Sequence, residues 1–344
     1  MKLLILTQKV DKNDSVLGFF HRWIEEFSKN FESVTVICLY KGEYSLPNNV
    51  KVLSLGKEVG VLRIKYVFNF YKYIVSERKN YDKVFIHMNQ IYALLGGLYW
   101  KVIGKDVYLW YTHKSVTVSL KLALLFVKKV FTASAESFRI KTEKLKVMSH
   151  GIDLDLFYFD QNKIYTNKLK LVTIGRISRS KDLVTILNAV SQIRNDIDIS
   201  LDVVGEPVTN DDKKYFEDIK KVVAEKSLAT IVNFVGPKTQ TQIVPLLKNA
   251  DLFIHTSTTG SLDKAALEAM ACGTLVISSN DALLPILYPY GLTFKPGDVI
   301  FLSNELKNFV LNNNKNETRI KLRKMVEDSH SLVKLIHNLK NEIK

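Results

Sequence analysis

The chain has 344 residues, too many for one ordinary core and enough for two domains of roughly 150 residues each. Apolar residues make up 47% and charged residues 24%, as in a globular protein, and no run approaches the ~18 uninterrupted apolar residues of a membrane span, so a soluble chain is expected. The net charge of +14 is uneven: residues 1–150 carry 24 Lys and Arg against 12 Asp and Glu, so the basic, phosphate-attracting surface belongs to the first half, whether for nucleic acid, anionic lipid or an acidic small molecule.

Met1-Lys2-Leu3-Leu4-Ile5-Leu6 passes directly into polar Thr7-Gln8-Lys9 without a small-residue cleavage site and reads as a first strand, not a signal peptide. From there short β-rich runs alternate with helix-period segments, the pattern of parallel α/β sheets. A first series places strands at 2–6, 34–38, 51–55, 83–87, 106–110, 128–132 and 145–148, with helices at 19–30, 61–79, 91–103 and 115–126. In the second helix Tyr66, Phe68, Phe70, Tyr71 and Tyr73 alternate with Arg63, Lys65, Lys72, Arg78 and Lys79, and Lys121 to Lys129 is a second basic, apolar stretch. Either could lie on an anionic bilayer, and either could equally be a buried helix face with a solvated basic side. Gly151-Ile152-Asp153 and the polar, aromatic stretch to about Asn167 form the natural hinge.

A second series places strands at 170–174, 199–204, 231–235, 251–254, 274–278 and 291–294. Its helix at 183–194 puts Leu183, Ile186, Leu187, Val190 and Ile193 on one face. The segment at about 316–343 is again helical in period and is read as crossing back onto the first domain. Cys38 and Cys272 each sit inside an apolar segment, so no disulfide framework is implied and a reducing cytoplasm fits.

Two constellations carry chemistry. Val172-Thr173-Ile174-Gly175-Arg176-Ile177-Ser178-Arg179-Ser180-Lys181-Asp182 leaves a strand and opens a helix, which projects Arg176 and Lys181 at a strand end, where an anion would gather them; a solvated basic turn is the plainer reading. Ser257-Thr258-Thr259-Gly260-Ser261-Leu262-Asp263-Lys264-Ala265-Ala266-Leu267-Glu268-Ala269-Met270-Ala271-Cys272-Gly273 reads as loop, helix and glycine cap between two strands. The amide end of that helix suits a phosphate. Glu268, deeper among Ala, Leu and Met, wants paired donors such as vicinal ribose hydroxyls, although an i,i+4 pair with Lys264 would also satisfy it.

The ordered series of Gly175-Arg176 with Lys181, Val203-Val204-Gly205, Phe234-Val235-Gly236-Pro237, Ala250-Asp251 and Leu267-Glu268-Ala269-Met270-Ala271-Cys272-Gly273-Thr274 resembles the donor half of family-4 retaining glycosyltransferases, glycosyl transferases group 1. The resemblance covers roughly 147–280, beginning with His150-Gly151-Ile152-Asp153. It implies the GT-B fold: two facing Rossmann-like parallel-sheet domains with an interdomain cleft. Residues 1–155 would be the acceptor-side domain, 156–315 the donor domain that binds a nucleotide sugar, and about 316–344 the returning helix. By the same resemblance Arg176 and Lys181 bind the donor diphosphate and Glu268 the ribose. Gly236, Pro237 and Lys238 form a loop beside the base, and His113 in Leu109-Trp110-Tyr111-Thr112-His113-Lys114 reaches the donor sugar. Gly18 and Gly175 belong to loops near the diphosphate.

One departure matters. Family members carry a second glutamate eight positions before the conserved one, and here that position is Gly260; the usual second loop glycine is Asp263, followed by Lys264. Asp263 and Lys264, with backbone from Gly260, Ser261 and Leu262, are expected to take over contact with the donor. The resemblance implies transfer of a hexose-type sugar from a nucleoside-diphosphate sugar, as co-substrate, to a saccharide or lipid-linked acceptor in cell-surface polysaccharide or glycolipid synthesis. No metal and no further cofactor is implied; a cytoplasmic setting is expected, with peripheral contact on the inner face of an anionic membrane as one of the two readings of the basic, apolar stretches. A non-catalytic partner subunit of the same fold and a nucleotide-sugar epimerase remain open. Nucleic-acid binding rests on charge alone, without a helix-turn-helix, zinc or stacking signature.

Overall fold

In the computed structural model, which describes residues 1–161, 163–258, 260–311 and 315–344, the β-rich runs form two separate sheets. The first has seven strands, β1 (Lys2–Val10), β2 (Ser33–Lys41), β3 (Val50–Ser54), β4 (Lys83–His87), β5 (Asp106–Trp110), β6 (Lys129–Thr132) and β7 (Leu145–Val147). All run parallel in the order β3-β2-β1-β4-β5-β6-β7. Helices α1 (Phe19–Asn30), α2 (Arg63–Ser76), α3 (Ile91–Val102) and α4 (Val118–Ala123) lie between them in the chain. The second sheet has β8 (Leu169–Ile174), β9 (Ile199–Val204), β10 (Val232–Gly236), β11 (Leu252–His255) and β12 (Leu275–Ser278), parallel in the order β10-β9-β8-β11-β12. Its helices are α5 (Leu183–Ile193), α6 (Asn210–Glu225), α7 (Gln240–Asn249), α8 (Lys264–Ala271), α9 (Leu284–Leu287), α10 (Val299–Leu311) and α11 (Lys315–Ser329). The chain ends in α12 (Leu332–Glu342).

The described residues divide into two units, Met1–Gly151 with Ser331–Lys344, and Ile152–His330. The long apolar runs, such as Leu3 to Leu6, follow from a parallel sheet covered on both faces. In the first unit the period of two sends Leu3, Ile5, Phe85, Tyr108 and Phe131 to one face, where Phe20, Ile24 and Phe27 of α1 and Leu335, Ile336 and Leu339 of α12 cover them. Leu4, Leu6, Val84, Ile86, Val107 and Leu109 point the other way, under Phe70 and Ile74 of α2, Tyr92 and Trp100 of α3, and Leu120 of α4. The second unit has one core of its own, to which α5 contributes Leu183, Ile186, Leu187, Val190 and Ile193, the stripe read from its sequence.

Three local readings are corrected. Residues 291–294 do not form a strand: Gly291 closes a turn at φ +68°, and only Thr293 makes a single bridge, to Ser278. The helix read at 115–126 is confined to α4, opened by Thr117, whose hydroxyl accepts the Leu120 amide at 3.1 Å. The terminal segment is two helices, because Ser331 is extended at φ −62°, ψ 134°. α11 stays on α8 in the second unit, and α12 alone joins α1 in the first.

Candidate anion site of the second sheet

β8 sits between β9 and β11, so the connections leaving β8 and β11 depart toward opposite edges of the sheet. Such a parting of loops at the carboxyl ends of parallel strands is where open α/β sheets take ligands. The loop after β8 carries Gly175, Arg176 and Lys181, and the loop after β11 leads through Ser261 and Leu262 to Asp263 and α8. Gly175 adopts φ +149° and packs so closely on β9 that a Cβ on Gly205 would stand 2.0 Å from the Gly175 carbonyl oxygen. The two loops are tied together: Thr256 Oγ1 donates to the Lys181 carbonyl at 2.6 Å, and the Thr258 amide to the Ser180 carbonyl at 2.9 Å.

Lys181 Nζ donates to Asp263 Oδ2, and His255 Nε2 reaches the same oxygen at 2.9 Å. A carboxylate only accepts, so His255 carries its proton on Nε2. Its Nδ1 lies 3.0 Å from Ser278 Oγ at the end of β12. The other oxygen of Asp263 accepts the Ala265 amide at 3.0 Å, capping α8. Burial alone would push the Asp263 carboxyl up, yet the Lys181 ammonium and His255 together hold it well below the usual carboxylate range.

One turn into α8, Glu268 is 5% exposed. Lys264 Nζ and Gln240 Nε2 both donate to its Oε1 at 2.7 Å. Gln240 is the first residue of α7, which follows Gly236, Pro237 and Lys238 at the end of β10; that loop is therefore anchored to Glu268 through one side chain. Asn280 Nδ2 donates to the Ser257 and Ser261 carbonyls at 3.1 and 3.3 Å and fixes the loop that carries Gly260, Ser261 and buried Leu262. Thr259, within that motif, lies outside the described residues.

Lys181, Asp263, Lys264 and Glu268 are thus gathered around the first turns of α8. Arg176 lines a shallow recess with Gly175 and Lys181, but its half-exposed guanidinium turns toward Asp212, Nε to Oδ2 3.7 Å. Gly18 and His113 belong to the first unit. Gly18 ends the loop after β1, where a Cβ would stand 2.4 Å from the Asp14 carbonyl oxygen. His113 follows β5, is exposed, and accepts the Ser115 amide on Nδ1 at 3.0 Å. Sequence reasoning missed His255, Gln240, Asp212 and Asn280. His255 left one signal, a histidine closing an apolar strand at its carboxyl end.

Two doubly wound, all-parallel units, one with cations and a helix amide end at its switch point, define the GT-B class. Over 99% of each chain the protein superimposes on the crystal structure of Anabaena HepE in complex with UDP and glucose, with a TM-score of 0.79 at 18% identity. Residues 156–328 match glycosyl transferases group 1, and the chain belongs to that family. It is 29% identical over 147 residues to D-inositol 3-phosphate glycosyltransferase of Pseudarthrobacter chlorophenolicus, covering 42% of this chain and 30% of that one. It is 25% identical over 148 residues to MMP alpha-(1->4)-mannosyltransferase of Mycolicibacterium hassiacum, covering 43% and 34%. The match spans about a third of the length of these curated relatives.

Proposed function

We propose that the chain is a retaining glycosyltransferase that moves a hexose-type sugar from a nucleoside-diphosphate sugar to a saccharide or lipid-linked acceptor, in cell-surface polysaccharide or glycolipid synthesis in the cytoplasm. The observation that carries this reading is the junction of Lys181 with the capped amide end of α8 at the switch point of the second sheet. An ammonium and helix amides there suit a diphosphate that gains charge as its bond to the sugar breaks. Arg176 would swing from Asp212 to the same diphosphate. With Oε1 of Glu268 taken by Lys264 and Gln240, Oε2 is the oxygen for a ribose hydroxyl. The loop of Gly236, Pro237 and Lys238, tied to Glu268, would flank the base.

The committed contacts of Asp263 make it a positioning residue, which holds Lys181 and His255 in place, rather than a direct ligand of the sugar. Backbone of Gly260, Ser261 and Leu262 then remains for the donor, and His113 is assigned to the sugar by the family resemblance. In the reaction the anomeric carbon–phosphate oxygen bond breaks, the acceptor oxygen bonds to the same face of that carbon, and its proton passes to the leaving phosphate oxygen. In this scheme Arg176, Lys181 and the α8 amides would carry the diphosphate's charge, the part a divalent cation otherwise plays.

Transfer from uridine-diphosphate sugars is the first assay, because the HepE structure contains UDP. Arg176→Ala and Lys181→Ala are each expected to lower the transfer rate by about 100-fold or more, the scale of losing a group that stabilises transition-state charge. A loss below tenfold in both would remove the basis of the reading. Gly260, where relatives by resemblance carry a carboxylate, favours one second reading, a partner subunit that binds nucleotide without turnover. In that case UDP at ~100 times its dissociation constant still adds ~2.7 kcal/mol to stability while no sugar is transferred.

A further inference from the structure

We propose that the outer face of α2, α3 and α4 in the first unit is a docking surface for an anionic lipid bilayer. The inner faces of these helices are used up on the sheet, by Phe70, Ile74, Tyr92, Trp100, Leu120 and Ala123. Their outer faces are nonetheless apolar. Leu62 just before α2, Ile64 and Phe68 on it, Leu98 and Val102 on α3, Val118 on α4 and Leu125 just after it are each at least 65% exposed, which is far from the scattered single residues of an ordinary surface. On α2 the exposed residues form a stripe, since Ile64, Phe68, Tyr71 and Val75 recur at i, i+4, i+7 and i+11. The helix therefore has two apolar faces, one for the sheet and one for something else. Tyr71 Oη donates to the Leu95 carbonyl at 2.8 Å, so the stripe runs on to α3. Ahead of α2, Val59 and Leu62 join Ile64 and Phe68 around an open apolar recess with Lys65 in its wall.

Charge selects the occupant. Arg63, Lys65 and Lys72 of α2, Lys101 of α3 and Lys121 of α4 are all exposed, and none of the three helices contains an acidic residue. A second copy of the chain would set these cations against their own kind, which costs affinity at an interface. A bilayer with anionic headgroups supplies the missing negative charge and, a few ångströms deeper, a place for the apolar stripe. The two contributions together meet the need for two signals in stable peripheral binding. The face takes no part in the donor site, so the docking is independent of the sugar that is transferred.

The test is flotation of the full chain with vesicles of phosphatidylcholine alone, or of phosphatidylcholine with phosphatidylglycerol. The expected result is flotation only with the anionic vesicles, suppressed at ~1 M salt, where the screening length falls to ~3 Å. Lys65→Ala and Lys72→Ala are each expected to lower the partition coefficient about fivefold. Ile64→Ser with Phe68→Ser is expected to lower it at least about tenfold. These side chains are exposed, so thermal stability should stay at the wild-type value. Failure of the wild type to float with anionic vesicles overturns the proposal, as does wild-type flotation of both sets of variants. A dimer in sedimentation that Ile64→Ser with Phe68→Ser dissociates, without any flotation, would reassign the face to a second copy. Thermal shift with UDP, run on the same samples, separates this outcome from the donor reading. Flotation without a UDP shift would leave the docking intact and remove the donor assignment.

Discussion

Asp263 is a carboxylate under two opposed influences. Its surroundings disfavour charge, while Lys181 and His255 hold that charge in place and its pKa well below 3.8. The pH dependence follows with a definite sign. A lowered folded-state pKa stabilises the native state above the unfolded value, and the contribution is lost as pH falls through the lower, folded value. Asp263→Asn is therefore expected to cost about 2 kcal/mol at pH 7, the scale of a charged hydrogen bond. The difference between wild type and variant should shrink as the pH is taken below about 3.8 in denaturant titrations. A difference that is constant with pH would mean that the carboxylate is not held ionised by its neighbours. At this scale the sequence was legible where a residue type met a strand end, as for Arg176 and Lys181, or an apolar helix, as for Glu268. The partners were not legible. Gln240 reaches Glu268 across 28 positions and Asp263 reaches Lys181 across 82, separations that only the crossing of two loops makes short.

At the scale of the element, α8 is held from both ends. Asp263 caps its first turn, Arg323 of α11 takes the carbonyl of its last residue, Ala271, and Arg319 of α11 takes that of Gly273 just beyond its C-cap. Arg319, 1% exposed, donates from Nε to the Gly273 carbonyl at 2.5 Å and from Nη2 to the Asp160 carbonyl at 2.6 Å. Arg323 Nη1 donates to the Ala271 and Phe157 carbonyls at 2.6 Å. Cations at a helix C-terminus satisfy carbonyls that have no partner inside the helix. Arg319→Met keeps much of the apolar stem but removes the charged donor from the Gly273 and Asp160 carbonyls, and is expected to cost about 3 kcal/mol in thermal or denaturant unfolding. A cost below about 1 kcal/mol would show that water replaces the guanidinium. These bonds explain why the terminal segment, read as one helix, divides: α11 is tied to α8 by its arginines, whereas Leu335, Ile336 and Leu339 of α12 serve the core beside α1. Twelve strands could be read from short apolar or β-branched runs, most plainly in the inner strands, which are buried on both faces; the edge strands β3, β7 and β10 are only partly covered. The run at 291–294 misled because it is apolar without a neighbour to pair with beyond Ser278. In α2 the periodicity showed that aromatic and basic residues alternate, but not that Phe70 would be covered and Phe68 left outside, since both faces are apolar.

Across the whole molecule, acid acts on each unit through a buried histidine with an unpartnered ring nitrogen, His87 in the first and His330 in the second. His87, at the end of β4, is stacked at 3.8 Å on Phe20 and lies 3.2 Å from Thr7 Oγ1 through Nδ1, while Nε2 has no hydrogen-bond partner. Burial pushes its pKa down to about 3. His330, between α11 and α12, has Nδ1 without a partner and is pushed down by burial to about 4. Both therefore remain neutral in the native state at pH values where an unfolded histidine, with a pKa near 6.5, takes up a proton. The stability this confers is complete above about pH 6.5 and is lost as pH falls toward 4, at up to ~1.4 kcal/mol per pH unit for each histidine. His87 belongs to the first unit and His330 to the second, so the loss is shared, and the melting of both units should move down together between pH 6.5 and 4. His87→Leu and His330→Leu remove the proton uptake of these two imidazoles on unfolding, leaving that of other groups such as His21. Calorimetry across that pH range should then give a flatter dependence in the double variant than in the wild type. Carboxylates such as Glu77 titrate alike in both proteins, so equal slopes between pH 6.5 and 4 would show that neither imidazole is held neutral by its burial.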